Sequence, residues 1–402
     1  MSTCAVMRGD KRLVDKGNPR PLRVLVICYE YPPVGGGGGR IAALVAQRLA
    51  GRGHRLRVLT AGLSPLPKEE TIGGVSVRRA FSGRRRPDLC TVPEMAIYAA
   101  AHAASVLVEL KRFGPDVVHV HFGVPSGAVA WWGTRFVRVP YVLTAHLGDV
   151  PGGAPEQTDR LFQFLQPFTV PIWRGAAAVT AVSASVAVLV KRAYRLHARV
   201  INNGIDMQRR LSPTPEVRAG PLRLVWCGRM QEQKNLGPAI EGLAPLRGRD
   251  WNLDVIGDGP LRADIEARCG RVGLTGHVRF RGWREGADVQ DALSDADALF
   301  LPSLSEGSPV VALEAMRAGL AFVASRIDSM ADLIDDGENG LLCDPKRPES
   351  FATALATLLD DRARLAAMRA SSLARAPRFD AERMVDDYES VLRAAALSGS
   401  QP

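Results

Sequence analysis

The chain has 402 residues, 46% of them hydrophobic, and a formal net charge of +10. That length provides apolar material for two cores. No apolar run reaches the roughly eighteen residues of a membrane span, and the polar, Pro-bearing start (MSTCAVMRGDKRLVDKGNPRP) does not read as a secretion signal, so the expected location is the cytoplasm.

The six cysteines (Cys4, Cys28, Cys90, Cys227, Cys269, Cys343) are scattered with no C-x-x-C pair, which argues for buried reduced thiols over a zinc site or disulfide framework. The charge is uneven. Up to Asp206 there are 27 Lys/Arg against 13 Asp/Glu, and beyond it 25 against 29, so the first part stands at +14 and the second at −4. A basic first part attracts phosphate in nucleic acid, an anionic bilayer or a phosphorylated lipid carrier, or it is a solvated surface without a partner. Nucleic acid is disfavoured, because the basic residues are not interleaved with aromatics and no helix-turn-helix is visible.

In chain order, residues 1–20 have no hydrophobic period and read as a disordered lead-in. LRVLVIC (22–28) is an apolar run of strand length, followed by the loop YPPVGGGGGR and a helix-period segment from Ile41 to Leu49. HRLRVLT, VSVRRAF, DVVHVHF, PYVLTAH, AAAVTAV and ARVIN continue the strands, with helix-length stretches such as 95–113 and 159–175 between them. Fully apolar strands alternating with helices predict a parallel sheet covered on both faces, here a Rossmann-like lobe over 21–206. A Pro-bearing linker over 207–220 leads to a second series over 221–376: LRLVWCG, LDVIGDG, VRFRG, ALFLPS, LAFVAS and GLLCDP, with helices from Asn235, from Pro260, near 286–293, over 308–318 and around 328–335, then a long final one. A last helix within 377–402 is expected to pack back on the first lobe. The fold class is therefore α/β, two doubly wound lobes with ligand at the strands' carboxyl ends in the cleft between them.

Several motifs fall at that cleft. The glycine loop has no Lys-Ser/Thr at its end, which excludes a P-loop; it is either a flexible turn or a place where backbone approaches a ligand. Arg229 and Lys234 in GRMQEQKN stand at a strand end and helix start, suited to a diphosphate leaving group; the alternative is a surface ion pair with Glu232. In SLSEGSPVVALEAMRAG, a helix opening from Pro309 would leave Glu306 just outside its start and Glu314 two turns in, their carboxylates about 12 Å apart along one helical edge. Free N–H groups between two such carboxylates suit a molecule with an anionic middle and hydroxylated ends, such as a nucleotide-diphosphate sugar. His146 ends a first-lobe strand and either supports structure or meets a sugar hydroxyl. His119 and His121 share one strand face without a third ligand and read as packing. Asp295 and Asp297 form a D-x-D, but precede a strand rather than follow one, so no essential metal is expected.

Together GGGGGR, GH (53–54), AHLGD, NNGID, GRMQEQKN, VIGDGP, FRG, LPSLSEGSPVVALEAMRAG and DGENGLL resemble the retaining glycosyltransferases of family 4 (group 1), which have the GT-B fold. The resemblance runs from about Leu22 past Leu342. It implies an N-terminal acceptor domain and a C-terminal donor domain. Gly37, Gly38 and Gly39 would meet the donor diphosphate opposite Arg229 and Lys234, with Gly257, Gly259 and Gly307 among the donor-binding positions. Glu306 would hold the transferred sugar, Glu314 the ribose, the amides of Val310 and Val311 the phosphates, and His146 would approach the reacting carbon. His146, Glu306, Arg229 and Lys234 form the implied catalytic set. The departing phosphate oxygen would deprotonate the acceptor, so that positioning and charge stabilisation carry catalysis without cofactor or metal.

This sequence departs from the family pattern at Asp328-Ser329 and Asp332, where a Gly-Gly pair and a glutamate are usual, and at Ala321, where proline is usual. The partners implied are a nucleotide-sugar donor, a glycan or lipid-linked acceptor, and an anionic membrane reached through the basic first lobe with its Arg84-Arg85-Arg86 loop. Two alternatives share the architecture: a nucleotide-sugar epimerase and a non-catalytic nucleotide-sugar-binding protein.

Overall fold

The apolar runs of the first half assemble into one eight-stranded sheet in the computed structural model, which describes residues 20–87, 90–156, 159–207, 219–284 and 286–399. Nearly all of the expected lead-in and most of the expected linker lie outside these residues. The first lobe comprises β1 (Arg23–Cys28), α1 (Gly37–Gly51), β2 (Arg55–Ala61), β3 (Glu69–Ile72), β4 (Val75–Ala80), α2 (Val92–Phe113), β5 (Val117–His121), α3 (Ala128–Thr134), β6 (Tyr141–Ala145), α4 (Asp159–Arg174), β7 (Ala178–Ala181), α5 (Ala184–Tyr194) and β8 (Arg199–Val200). The strand order is β3-β4-β2-β1-β5-β6-β7-β8, and β1 is central and buried. All pairs are parallel except β3–β4. β3 was not expected from its charged sequence, EETI. It is an edge strand, folded onto β4 by Gly73-Gly74 with φ of +56° and +79°, the two positive values a tight hairpin turn demands.

The second lobe holds β9 (Leu222–Cys227), α6 (Leu236–Gly242), β10 (Trp251–Ile256), α7 (Arg262–Arg271), β11 (Val278–Gly282), α8 (Gly286–Asp295), β12 (Ala298–Leu301), α9 (Val310–Arg317), β13 (Ala321–Ser325), β14 (Gly340–Cys343), α10 (Glu349–Asp360) and α11 (Arg362–Arg375), with α12 (Ala381–Ser398) last. Its six strands run in the order β11-β10-β9-β12-β13-β14, all parallel.

Helices cover both faces of the first sheet. α1 and α12 pack over Val24, Val26 and Val58; α2 to α5 pack over Leu25, Ile27 and Val118. α12 thus belongs by contact to the first lobe, through buried Met384, Val385, Tyr388 and Leu392. At about 1.5–3 kcal/mol for each large apolar side chain removed from water, these anchors hold the chain's end across the lobe.

Three expected elements differ. α1 starts at Gly37 rather than Ile41, so three glycines form its first turn. The expected helix over 328–335 is a short 3-10 turn, Asp328–Met330. Helix propagation stops there because the Asn339 side chain takes the Asp335 N–H and donates to the Leu333 carbonyl, turning the chain toward β14. The long final helix is two, divided at Asp361, whose side chain accepts from Arg364 N at 2.8 Å and caps α11.

Asp297 has a structural task. Its buried carboxylate accepts from Arg223 at 2.9 Å and Arg369 at 2.8 Å, tying β12 to β9 and α11 at the amino end of the strand. Cys28, Cys269 and Cys343 are buried free thiols, whereas Cys90 and Cys227 are half-buried.

Candidate active site

The cleft is built around the segment from β12 to α9. Pro309 has φ −69° and ψ 117° and stands just before the helix, so α9 begins at Val310. Glu306 accordingly lies in the loop just outside the helix, but Glu314 is one turn into it rather than two, so the even spacing of the pair along one helical edge is corrected. The N–H groups of Val310 and Val311 are in the first turn and have no helical acceptor.

Glu306 is buried and not free. Its Oε1 accepts from Lys234 Nζ at 2.6 Å and from Ser303 Oγ at 2.7 Å. Lys234 closes a 3-10 turn over Glu232–Lys234, and the expected alternative partner, Glu232, is not the one it takes. Gln233 fixes the two loops side by side, donating through Nε2 to Ser305 O at 2.9 Å and accepting at its own carbonyl from Leu304 N at 2.8 Å.

The glycine loop closes the opposite wall. Gly37, Gly38 and Gly39 form the first turn of α1, so a second helix start faces that of α9. A Cβ on Gly37 would stand 3.3 Å from Val310 Cγ2, and one on Gly36 would stand 3.8 Å from Arg229 Nη2. A Cβ on Gly38 would strike the Phe122 ring at 2.5 Å and reach 3.2 Å from His146 Nδ1. Gly39 faces inward, where a Cβ would meet the Glu30 carbonyl oxygen at 2.5 Å; its lack of a side chain seats α1 on β1.

Gly257 and Gly259, with φ of +137° and +159°, press their loop onto the Gly228–Met230 backbone that carries Arg229. Gly307 brings the lobes together, since a Cβ there would stand 2.0 Å from the His146 carbonyl oxygen. Arg40 on α1 pairs across the cleft with Glu314 on α9.

His146 is held from both sides. Asp149 Oδ1 accepts from the His146 and Leu147 N–H groups at 2.9 and 3.0 Å, and its Oδ2 accepts from Gly123 N at 2.8 Å. The His146 Nε2 atom lies 3.1 Å from His121 Nδ1, and the His121 ring lies 4.2 Å from that of His119. Burial lowers the pKa of all three, to about 3 for His119, so these imidazoles are neutral near pH 7. His119 and His121 thus pack and support the loop, as their shared strand face suggested.

Four buried polar atoms at the cleft have no protein partner: Arg229 Nε, Glu314 Oε2, Ser308 Oγ and Asn203 Oδ1. A buried donor or acceptor left unpaired costs about 1–3 kcal/mol, so these four groups are placed to pair with a polar ligand or with water in the cleft. Asn203 is also fixed to the site, donating through Nδ2 to Ser308 O at 2.9 Å.

Sequence reasoning gave no role to Arg40, Asn203, Ser303 or Glu30, whose Oε2 accepts from Gly36 N at 2.9 Å. Their roles come from neighbours distant in the chain, and only the adjacency of Arg40 to the glycines and the place of Asn203 within NNGID was a usable signal. The Arg84-Arg85-Arg86 reading needs correction: Arg84 is buried, lies 3.6 Å from Glu30 and donates to the carbonyls of Arg86 and Pro87, so it is not a surface charge. Among the described residues no cluster of three His, Cys, Asp or Glu could hold a metal, and no helix is long and apolar enough to cross a membrane.

Residues 35–209 match the family described as Glycosyltransferase Family 4, and residues 221–361 match Glycosyl transferases group 1. The chain is 29% identical over 393 residues to the glycogen synthase of Mycobacterium tuberculosis, covering 92% of this chain and 91% of that protein. Among solved structures it resembles sucrose-phosphate synthase from Thermosynechococcus elongatus with a TM-score of 0.80, at 20% identity over 93% of this chain and 98% of the other. It also resembles Anabaena HepE in complex with UDP-glucose, with a TM-score of 0.74 and 20% identity over 93% and 100% of the two chains. These likenesses fix the two-lobed GT-B architecture.

Proposed function

The chain belongs to glycosyltransferase family 4, enzymes that draw on nucleotide-sugar donors, and on that premise we propose a retaining, metal-independent transfer of a sugar to a glycan or lipid-linked acceptor. The donor's diphosphate lies between the opposed starts of α1 and α9, where unpaired N–H groups and the positive helix ends favour anions. Arg229 contributes its unpartnered Nε and Lys234 its ammonium, both balancing charge as the nucleoside diphosphate departs. Glu306, already fixed by Ser303, accepts from hydroxyls of the transferred sugar, and Glu314 exchanges Arg40 for the ribose. His146 stands behind Gly38 as a neutral group beside the sugar. The leaving phosphate oxygen takes the acceptor's proton on the face it vacates, so the anomeric configuration is kept without a protein nucleophile.

The observation that carries this reading is the pair of facing helix starts, Gly37 against Val310, with Arg229 beside Gly36 and the Lys234–Glu306 pair in the same cleft. The epimerase alternative is not favoured. It needs an acid or base from the first lobe, and both oxygens of Asp149 are committed to backbone N–H groups. A non-catalytic binder has no need of Glu306, Lys234 and His146 converging on one cleft.

The test is donor turnover by purified protein, with UDP-glucose first in a panel of nucleoside-diphosphate sugars. Proton NMR of freshly released sugar reads configuration, with and without chelator. Retained configuration and chelator-insensitive turnover are expected; inversion, or activity abolished by chelator and restored by Mg²⁺ or Mn²⁺, refutes the mechanism. The acceptor is reached through first-lobe loops at a cytoplasmic anionic membrane surface.

A further inference from the structure

Helices α3, α4 and α5 lie side by side on one face of the first sheet, and their outward side carries apolar groups that no part of the described chain covers. α4 is apolar on opposite sides. Phe162, Thr169, Ile172 and Trp173 point into the core, while Phe164, Pro167, Phe168 and Pro171 are exposed at helical spacing. Phe164 and Phe168 are each 75% exposed, and Phe136 just past α3 is 61% exposed, with its ring edge-on to half-exposed Trp132. A surface helix normally turns polar residues outward, so an outward apolar stripe marks an interaction site.

Beyond Asp159, which opens α4, and Asp332 of the second lobe, which meets the start of α5, the charge along these helices is of one sign. From Arg160 to Ile205 the chain has no Asp or Glu and six Lys/Arg. Lys191, Arg192 and Arg195 are exposed at the end of α5, which is bound to α4 through Thr169 to Tyr194 at 3.0 Å and Gln166 to the Ala193 carbonyl at 3.1 Å. Beside α3, Arg135 and Arg138 border a groove of about 400 Å³.

We propose that this outward face of α3 to α5 docks on an anionic bilayer, Phe164 and Phe168 entering the headgroup boundary and the flanking cations resting among lipid phosphates. Aromatic and basic groups on one face, with acids confined to the helix starts, match the two forces that hold proteins at such surfaces. A second copy fits poorly, because a twofold contact would set these cations against their own images. The face also adjoins the cleft: residues 147–156 run from His146 toward α4, and Glu156 accepts from Ser305 of the second lobe at 3.3 Å. Docking here would hold the first lobe, with its cleft loops, at the surface that carries the acceptor. The proposal rests on that part of the proposed function but not on the identity of the donor.

The test is flotation of the full chain with phosphatidylcholine vesicles, pure or containing about one-third phosphatidylglycerol, near 0.1 M salt. Wild type is expected to float with the anionic vesicles and not with the neutral ones. Phe164→Ser/Phe168→Ser should reduce binding at least tenfold, and Lys191→Gln/Arg192→Gln about 30-fold, the equivalent of about 1 kcal/mol per cation at the surface. Both variants alter exposed positions and should melt with wild type and keep its response to UDP-glucose. No flotation by wild type, equal flotation with neutral vesicles, or variants that bind undiminished would overturn the proposal. So would a wild-type dimer that the Phe variant dissociates, since the face would then belong to a second copy. A chain that floats as expected but never turns over a sugar nucleotide would sink the transferase mechanism and leave this surface standing.

Discussion

Lys234→Met separates the ion pair at the cleft from everything else Lys234 does. Nζ lies 2.6 Å from Glu306 Oε1, with the side chains 18% and 7% exposed. Methionine keeps most of the stem and removes the charge, leaving the Glu306 carboxylate buried with the Ser303 hydroxyl as its remaining hydrogen-bond donor. Breaking a buried pair costs about 3–5 kcal/mol, and partial access of water to Lys234 reduces this to about 2–3 kcal/mol. For a lobe of this size that lowers the melting midpoint by roughly 5–10 °C. Adding Glu306→Gln leaves no charge uncompensated, so the double variant should regain stability to within about 1 kcal/mol of wild type. Urea unfolding followed by tryptophan fluorescence measures the cycle. A double variant that loses the sum of the two single losses would show that the pair contributes nothing, and the argument that it preorganises the cleft would fail.

Gly307→Ala should abolish turnover while the melting temperature changes little, because its Cβ, 2.0 Å from the His146 carbonyl, wedges the lobes apart; an active variant in crystals with an unchanged cleft contradicts this. Arg40→Ala removes the cation paired with Glu314, so nucleoside-diphosphate affinity by calorimetry should rise a few-fold, in line with about 0.2–1 kcal/mol for a half-exposed pair. Weaker binding would place Arg40 among the donor's ligands. Acid sensitivity should come partly from His119. Its folded pKa, about 3, lies below the unfolded value near 6.5, so its contribution is intact above about 6.5 and is lost as pH falls toward 3, at up to about 1.4 kcal/mol per pH unit. His119→Gln keeps a partner for Thr144 and should flatten the stability slope between about pH 6 and 5; an unchanged slope assigns the acid loss elsewhere.

The two lobes were legible because their strands are buried on both faces and so read as unbroken apolar runs, as in LRVLVIC and ALFLPS. β3 was not, since an edge strand needs no apolar run and its signal was the Gly73-Gly74 turn alone. At the cleft, residue types at strand ends and helix starts announced Arg229, Lys234, Glu306 and the glycines. Their pairings could not be read, because Lys234 takes a partner 72 residues away rather than the nearby Glu232, and Arg40 one 274 residues away. The same limit explains Arg84, which looked like a surface charge in a run of three and is buried beside Glu30. The helix start beside Pro309 was legible, but the even spacing of Glu306 and Glu314 was not, because Glu306 lies in the loop before it and Glu314 only one turn in.

A crystal structure with a bound nucleoside diphosphate tests the central claim most directly. The account predicts phosphate oxygens within hydrogen-bond reach of Arg229, Lys234 and the Val310 and Val311 N–H groups, with Glu314 released from Arg40 and turned to the ribose. A nucleotide seated outside the cleft, or in it with Arg229 Nε still unpaired and the Arg40–Glu314 bridge intact, would contradict it.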